Sequence, residues 1–171
     1  MSAPGPIPAL AMPSQPSEPA RIAQLSVSAG GVPKRAIASA RVGTLGLVGD
    51  QQREVAFHGG PDRALCLYSL EVIAALQREG HHVAPGTLGE NITIAGLDWA
   101  AIQPGMRLQL GAEVIVELTR DTTPCRTIMR QFADWKFSRI SHRKHPGWSR
   151  FYARVEHTGE LRVGDAVVIL A

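Results

Sequence analysis

Short runs of alternating apolar and polar residues dominate this chain. Residues 21–28 (RIAQLSVS) alternate roughly at Ile22, Leu25 and Val27, which predicts a strand, and Ala29-Gly30-Gly31-Val32-Pro33 predicts the turn after it. Residues 35–42 read as a returning strand before Gly43, Gly46 and Gly49 break the pattern. The apolar run 64–68 follows a Gly-Gly-Pro-Asp loop and reads as a buried strand, and 91–94 as a short one. Residues 106–110 and 114–118 alternate well on either side of Gly111-Ala112-Glu113, the signature of a hairpin. Strands over 148–156 and 166–170 complete the set.

The spacing changes to a helical period twice. Ser69 can cap a helix over 70–79, with Glu71 in its first turn, Val72, Ile73 and Leu76 on one face, and Gly80 ending it. A second helix is predicted from Pro124 to about Ala133, capped by Thr123, with Ile128, Met129 and Phe132 facing inward. Six to eight short strands with two or three short helices make a mainly β chain, α+β by helix content. They suit a Greek-key-type β-barrel better than repeated βαβ units. Gly105 and Gly164 each precede a predicted outer strand, a weak internal echo.

Composition narrows the class. The 171 residues are 44% apolar and 19% charged, enough for one well-buried domain, assigned to residues 21–171. Residues 1–20 carry six prolines and no Lys or Arg, which predicts a disordered arm rather than a signal peptide. No apolar stretch reaches the roughly 18 residues of a membrane span, so no membrane partner and a cytoplasmic location are expected. A net charge of +3 and a pI of about 9.2 fall short of a nucleic-acid binder but suit an anionic small molecule. Of the two cysteines, Cys66 lies in the apolar run and reads as core.

Cys125 has different surroundings. In Thr122-Thr123-Pro124-Cys125-Arg126 it falls at the predicted helix start, where free N–H groups and Arg126 favour an anion. A thiolate there can ligate a soft metal, attack an electrophile or carry a persulfide, and the residues alone leave these open. Three further loops carry candidate chemistry: His58-Gly59-Gly60-Pro61-Asp62-Arg63, Gly89-Glu90-Asn91, and Pro146-Gly147-Trp148 with Arg150. Taken singly, each is also what an ordinary turn contains. Lys34, Lys136 and Lys144 sit in polar stretches, which argues against a desolvated Schiff-base lysine.

The ordered set of these loops resembles the MOSC domain, the C-terminal domain of molybdenum cofactor sulfurases. The matching pieces are Gly46-Leu47-Val48-Gly49-Asp50, His58 through Ala64, Gly89-Glu90-Asn91-Ile92-Thr93-Ile94 and Gly96-Leu97-Asp98. They continue through Pro104-Gly105-Met106-Arg107-Leu108 and Pro124-Cys125 to Gly147-Trp148 and Gly164-Asp165. The chain looks most similar to small bacterial members that detoxify N-hydroxylated bases. The resemblance implies a β-barrel binding molybdenum cofactor (molybdopterin), with Cys125 at its sulfur or molybdenum end: the metal ligand in members that reduce N-hydroxylated compounds, the sulfur acceptor in the sulfurases. It places His58, Gly59, Gly60, Arg63, Gly89, Asn91, Arg126, Trp148 and Arg150 around the cofactor. Asp62 and Glu90 are the acids expected to supply protons, since reducing N–OH to N–H consumes protons and releases water. The chain has too few cysteines for the iron–sulfur set of larger relatives and no desulfurase domain. An electron or sulfur donor protein is therefore expected as a partner. Three functions follow: an N-hydroxyl reductase with an external electron donor, a persulfide or cofactor carrier at Cys125, or a non-catalytic binding module.

Overall fold

Residues 21–27 do form a strand, and the fold grows outward from it. The structure, a computed structural model, describes residues 18–51 and 59–171. The strands are β1 (Arg21–Val27), β2 (Arg35–Ile37), β3 (Ser39–Gly43), β4 (Gly46–Leu47), β5 (Leu65–Ser69) and β6 (Ile92–Ala95). After them come β7 (Arg107–Leu110), β8 (Val114–Asp121), β9 (Phe151–His157), β10 (Gly159–Arg162) and β11 (Val167–Leu170). Eight of them build one sheet in the order β11-β7-β8-β9-β5-β6-β1-β2, and β10-β3-β4 build a second.

The predicted hairpin is present, with Leu108 opposite Val116 and Leu110 opposite Val114. The stretch 35–42, expected as one strand, is split. β2 pairs with β1, whereas β3 pairs with β10 in the other sheet. Ser69 caps the α-helix Leu70–Arg78 by accepting a hydrogen bond from Val72 N, and the helix buries Ile73 and Leu76. Burying each such side chain is worth about 1.5–3 kcal/mol. This helix links β5 to β6, which run parallel, so one βαβ crossover exists where repeated βαβ units were not expected.

The second predicted helix is corrected. Residues Arg126–Gln131 form a 3-10 helix of one to two turns, preceded by Cys125 in extended conformation (φ −129°, ψ 172°). Thr123 does not cap it. A six-residue 3-10 segment aligns few peptide dipoles, so it adds little positive field at Cys125.

The expected barrel is not found closed. Arg21 bridges Ala166, Ile22 N donates to Asp165 O, and Val167 N donates to Ala20 O, so the sheet curls until β1 meets the start of β11. One edge of β1 pairs with β6. Its other edge is shared: the N-terminal end meets residues 164–167, and the C-terminal half takes β2. Two partners on one edge leave room for a single bridge rather than a continuous ladder. Of the expected arm, residues 18–20 pack on the fold, with Ala20 as an acceptor for β11, and residues 1–17 lie outside the described residues.

Candidate functional site

β5 lies between β6 and β9, and Cys66 stands opposite Tyr152. A cavity of about 230 Å³ opens at this junction. Its wall brings together Cys125, Gly89, Asn91 and Arg150, four of the residues singled out from three separate loops. It also contains Lys34, Cys66, Thr122 and Tyr152.

Asn91 ties these pieces together. Its Oδ1 accepts from Cys66 N at 3.1 Å, and its Nδ2 donates to Asp50 Oδ2 at 2.8 Å. Asp50 also accepts from Ser28 N at 2.9 Å and from Lys34 Nζ at 2.6 Å. The Lys34–Asp50 pair is buried, and Lys34 places a cation in the cavity wall. The polar stretch around Lys34 hid this, because its neighbours in space are not its neighbours in sequence.

Arg150 supplies a second buried cation. One of its terminal nitrogens donates to Leu88 O, and Nε has no hydrogen-bond partner among the described residues. An unpaired, buried guanidinium N–H is costly unless an acceptor reaches it. The same wall holds two thiols of different character. Cys125 is partly exposed. Cys66 is buried, as the sequence indicates, and burial pushes its thiol up, with the Arg150 charge offsetting this only in part. Cys66 nonetheless lines the cavity, and its sulfur lies 3.9 Å from Thr122 Oγ1. Burial also raises the Tyr152 hydroxyl to about 12, which keeps it a hydrogen-bond donor at neutral pH.

Other expected site residues lie elsewhere. Glu90 is fully buried but does not line the cavity; Oε1 accepts from Gly86 N at 2.6 Å and from Thr93 Oγ1 at 3.2 Å. Burial raises its carboxyl, against the hydrogen bond from Gly86. The geometry is that of a loop clamp, since Gly86 O in turn accepts from Lys34 N. Asp62 is exposed and paired with Arg154 at 2.9 Å, away from the wall. Gly59, Gly60 and Arg126 do not line the cavity either. Arg63 does not line the cavity, but its guanidinium carbon lies 5.6 Å from the centroid of the Tyr152 ring. Trp148 lies under Arg139, 3.6 Å from its guanidinium carbon, and lines a different cavity with Trp99 and Glu71. His58 lies outside the described residues. Among the described residues no three His, Cys, Asp or Glu side chains form a metal cluster, so any metal here would rest on few protein ligands.

Sequence reasoning missed Lys34, Thr122 and Tyr152. A signal existed for the last: Arg150 and Tyr152 are two residues apart at the start of β9, and a period of two brings them to one face.

Comparison with known proteins gives the family and the fold. The family model of the MOSC domain matches residues 54–168. The protein YflK of Bacillus subtilis (strain 168) is 27% identical over 124 residues, covering 72% of this chain and 55% of YflK. Protein YiiM of Escherichia coli (strain K12) is 38% identical over 86 residues, covering 47% of this chain and 38% of YiiM. The chain thus spans about half or less of the length of these relatives. The crystal structure of YiiM from Geobacillus stearothermophilus superposes with a TM-score of 0.67 at 23% identity, over 90% of this chain and 76% of that one. The YUAD protein from Bacillus subtilis gives 0.69 at 18% identity, over 88% and 94%. These two likenesses establish the shared fold. The family model covers well over half of the chain, through β5 to β10, and on that ground the chain belongs to the MOSC domain family.

Proposed function

We infer that the cavity binds molybdenum cofactor, with the Cys125 thiolate as the protein ligand to the metal, and that the chain supports reduction of N-hydroxylated compounds with electrons from outside. One observation carries this reading: a partly exposed thiol shares a cavity wall with two buried cations, and Arg150 Nε is left without a partner. That donor set fits the group. A thiolate is a suitable soft ligand. Arg150 and Lys34 suit an anionic end, and Gly89 brings backbone to the wall without a side chain. When bound, the cofactor supplies the two-electron redox step.

The chain's own part is to bind and orient. Arg150 would donate Nε–H to an anionic oxygen of the cofactor, and Lys34, held by Asp50, would add a fixed charge. Tyr152, kept protonated, is placed to donate a hydrogen bond within the cavity. Asp62 and Glu90, the acids expected from the sequence, lie off the wall, so protons would reach the cavity through bound water, with Tyr152 orienting by hydrogen bond and not acting as the acid.

The test is direct. Protein purified from a host that makes the cofactor is assayed for molybdenum by elemental analysis and for pterin by fluorescence. The reading expects one metal and one pterin per chain, both lost in Cys125→Ala. A Cys125 adduct heavier by one sulfur, without metal, would instead make the chain a persulfide carrier. Absence of all three leaves a non-catalytic module.

A further inference from the structure

The outer side of the segment that follows Cys125 has a composition unlike the rest of the chain. Residues 126–145 contain six Lys or Arg and one acidic residue, a net charge of +5, while the whole chain carries only +3. Everything outside this segment is therefore net negative by two. Five of the six cations, Arg126, Arg130, Lys136, Arg143 and Lys144, are exposed, and none forms an ion pair among the described residues. The sixth, Arg139, is committed: it binds Glu79 through two hydrogen bonds and stacks on Trp148, which pins the segment to the body of the protein.

Trp135 stands among these cations. It is 58% exposed, one of few large apolar side chains left in solvent. Its backbone is left-handed (φ 61°), which a non-glycine residue adopts only at a cost. It is nonetheless held there, by hydrogen bonds from Trp135 N to Phe132 O and from Phe137 N to Trp135 O. Exposed aromatics flanked by arginines are the residue types that anchor protein interfaces. The same segment forms the cavity wall on its inner side, through Thr127 and Ile128 next to Cys125. A partner seated on this segment would contact the stretch that also supplies Thr127 and Ile128 to the cavity.

We propose that the basic ridge around Trp135 is the docking surface for a small acidic electron-carrier protein that serves the Cys125 cavity. The proposal rests on the reductase reading, which requires electrons from outside, and a chain with two cysteines cannot ligate a four-thiolate iron–sulfur cluster. Charge complementarity selects the partner. A run of exposed, unpaired cations with an exposed tryptophan among them, on a chain that is otherwise net negative, attracts a small acidic face.

The experiment uses the full chain and two probes, an acidic [2Fe–2S] ferredoxin and an acidic flavodoxin, titrated calorimetrically. At least one should bind with micromolar affinity at about 50 mM salt and lose about tenfold in affinity by about 300 mM. Arg130→Glu/Lys136→Glu and Trp135→Ala should each weaken binding about tenfold or more, while Arg162→Glu, on β10, should leave it unchanged. Circular dichroism melts verify that each variant is folded. The proposal falls if neither probe binds at low salt, if Arg162→Glu weakens binding as much as the ridge variants, or if a duplex DNA oligonucleotide binds more tightly than both. Molybdenum and pterin are measured on the same preparations. Loaded protein that binds neither probe overturns the docking surface alone, and probe binding without metal overturns the cofactor reading alone.

Discussion

Lys34 Nζ lies 2.6 Å from Asp50 Oδ1 and 2.7 Å from Oδ2, and both side chains are more than nine-tenths buried. The two partners are not equally dependent on each other. Asp50 keeps hydrogen bonds from Ser28 N and Asn91 Nδ2 if the lysine is lost. Lys34 has no other acceptor among the described residues. Asp50→Asn is therefore expected to cost about 3–5 kcal/mol by stranding a buried cation. Lys34→Met should cost less, about 1–3 kcal/mol. Urea unfolding of both variants checks the order; equal losses would show that the Asn91 and Ser28 bonds do not sustain the carboxylate.

The two thiols should be separable by reagent. In the folded protein iodoacetamide should alkylate Cys125, which is partly exposed, and spare Cys66, which is buried with its thiol pushed up. The second alkylation should appear only in denaturant. Intact-mass spectra before and after unfolding read this out, and rapid double labelling of native protein would contradict the placement of Cys66.

Cys66→Ser and Cys125→Ser should part company in stability. A serine at 66 buries a hydroxyl whose nearest side-chain partner, Thr122 Oγ1, is already 3.9 Å from the larger sulfur atom. The expected loss is about 1–3 kcal/mol. Cys125→Ser should melt with cofactor-free wild type while losing bound molybdenum. Matching melting temperatures for wild type and Cys66→Ser would remove Cys66 from the core.

Gly86 and Gly80 share a left-handed backbone, with φ 87° and 91°, but not their surroundings. A Cβ on Gly86 would stand 2.6 Å from Lys34 O, whereas one on Gly80 meets nothing within 4 Å. Gly80→Ala should cost only the conformational term, about 1–2 kcal/mol. Gly86→Ala should cost more than that and should also lower cofactor retention, because it pushes on the backbone that carries Lys34. Thermal melts of the pair, with metal content for Gly86→Ala, decide it.

Glu90 gives a pH dependence with a definite sign. Burial raises its carboxyl above the ordinary value of 4.5 in the folded chain. The folded state then holds the proton more tightly than the unfolded one, so this contribution is complete below about pH 4.5 and is lost as pH rises through the folded value. Glu90→Gln keeps an acceptor for Gly86 N and Thr93 Oγ1 while removing the charge. The variant should match wild type near pH 4 and gain on it as pH rises toward 8. Parallel stability curves across that range would show that Glu90 is ionised without penalty.

Much of this protein is local enough to read from the chain. The hairpin of β7 and β8, the Ser69 cap and the buried run at β5 follow from period and capping, which depend only on near neighbours. Cys125, Gly89, Asn91 and Arg150 stood out through the ordered set of loops that resembles the MOSC domain, since taken singly each is also what an ordinary turn contains. What the sequence did not determine depends on long-range placement. The Lys34–Asp50 pair, the entry of Cys66 and Tyr152 into the cavity, and the removal of Asp62 and Trp148 from it are decided by which strands neighbour which. The second helix shrank to a 3-10 turn, and β1 gave one edge to two partners instead of closing a barrel. Propensity and period are properties of a few consecutive residues, whereas ion pairing, desolvation and sheet closure are set by contacts between residues far apart in the chain, and only the folded structure brings those together.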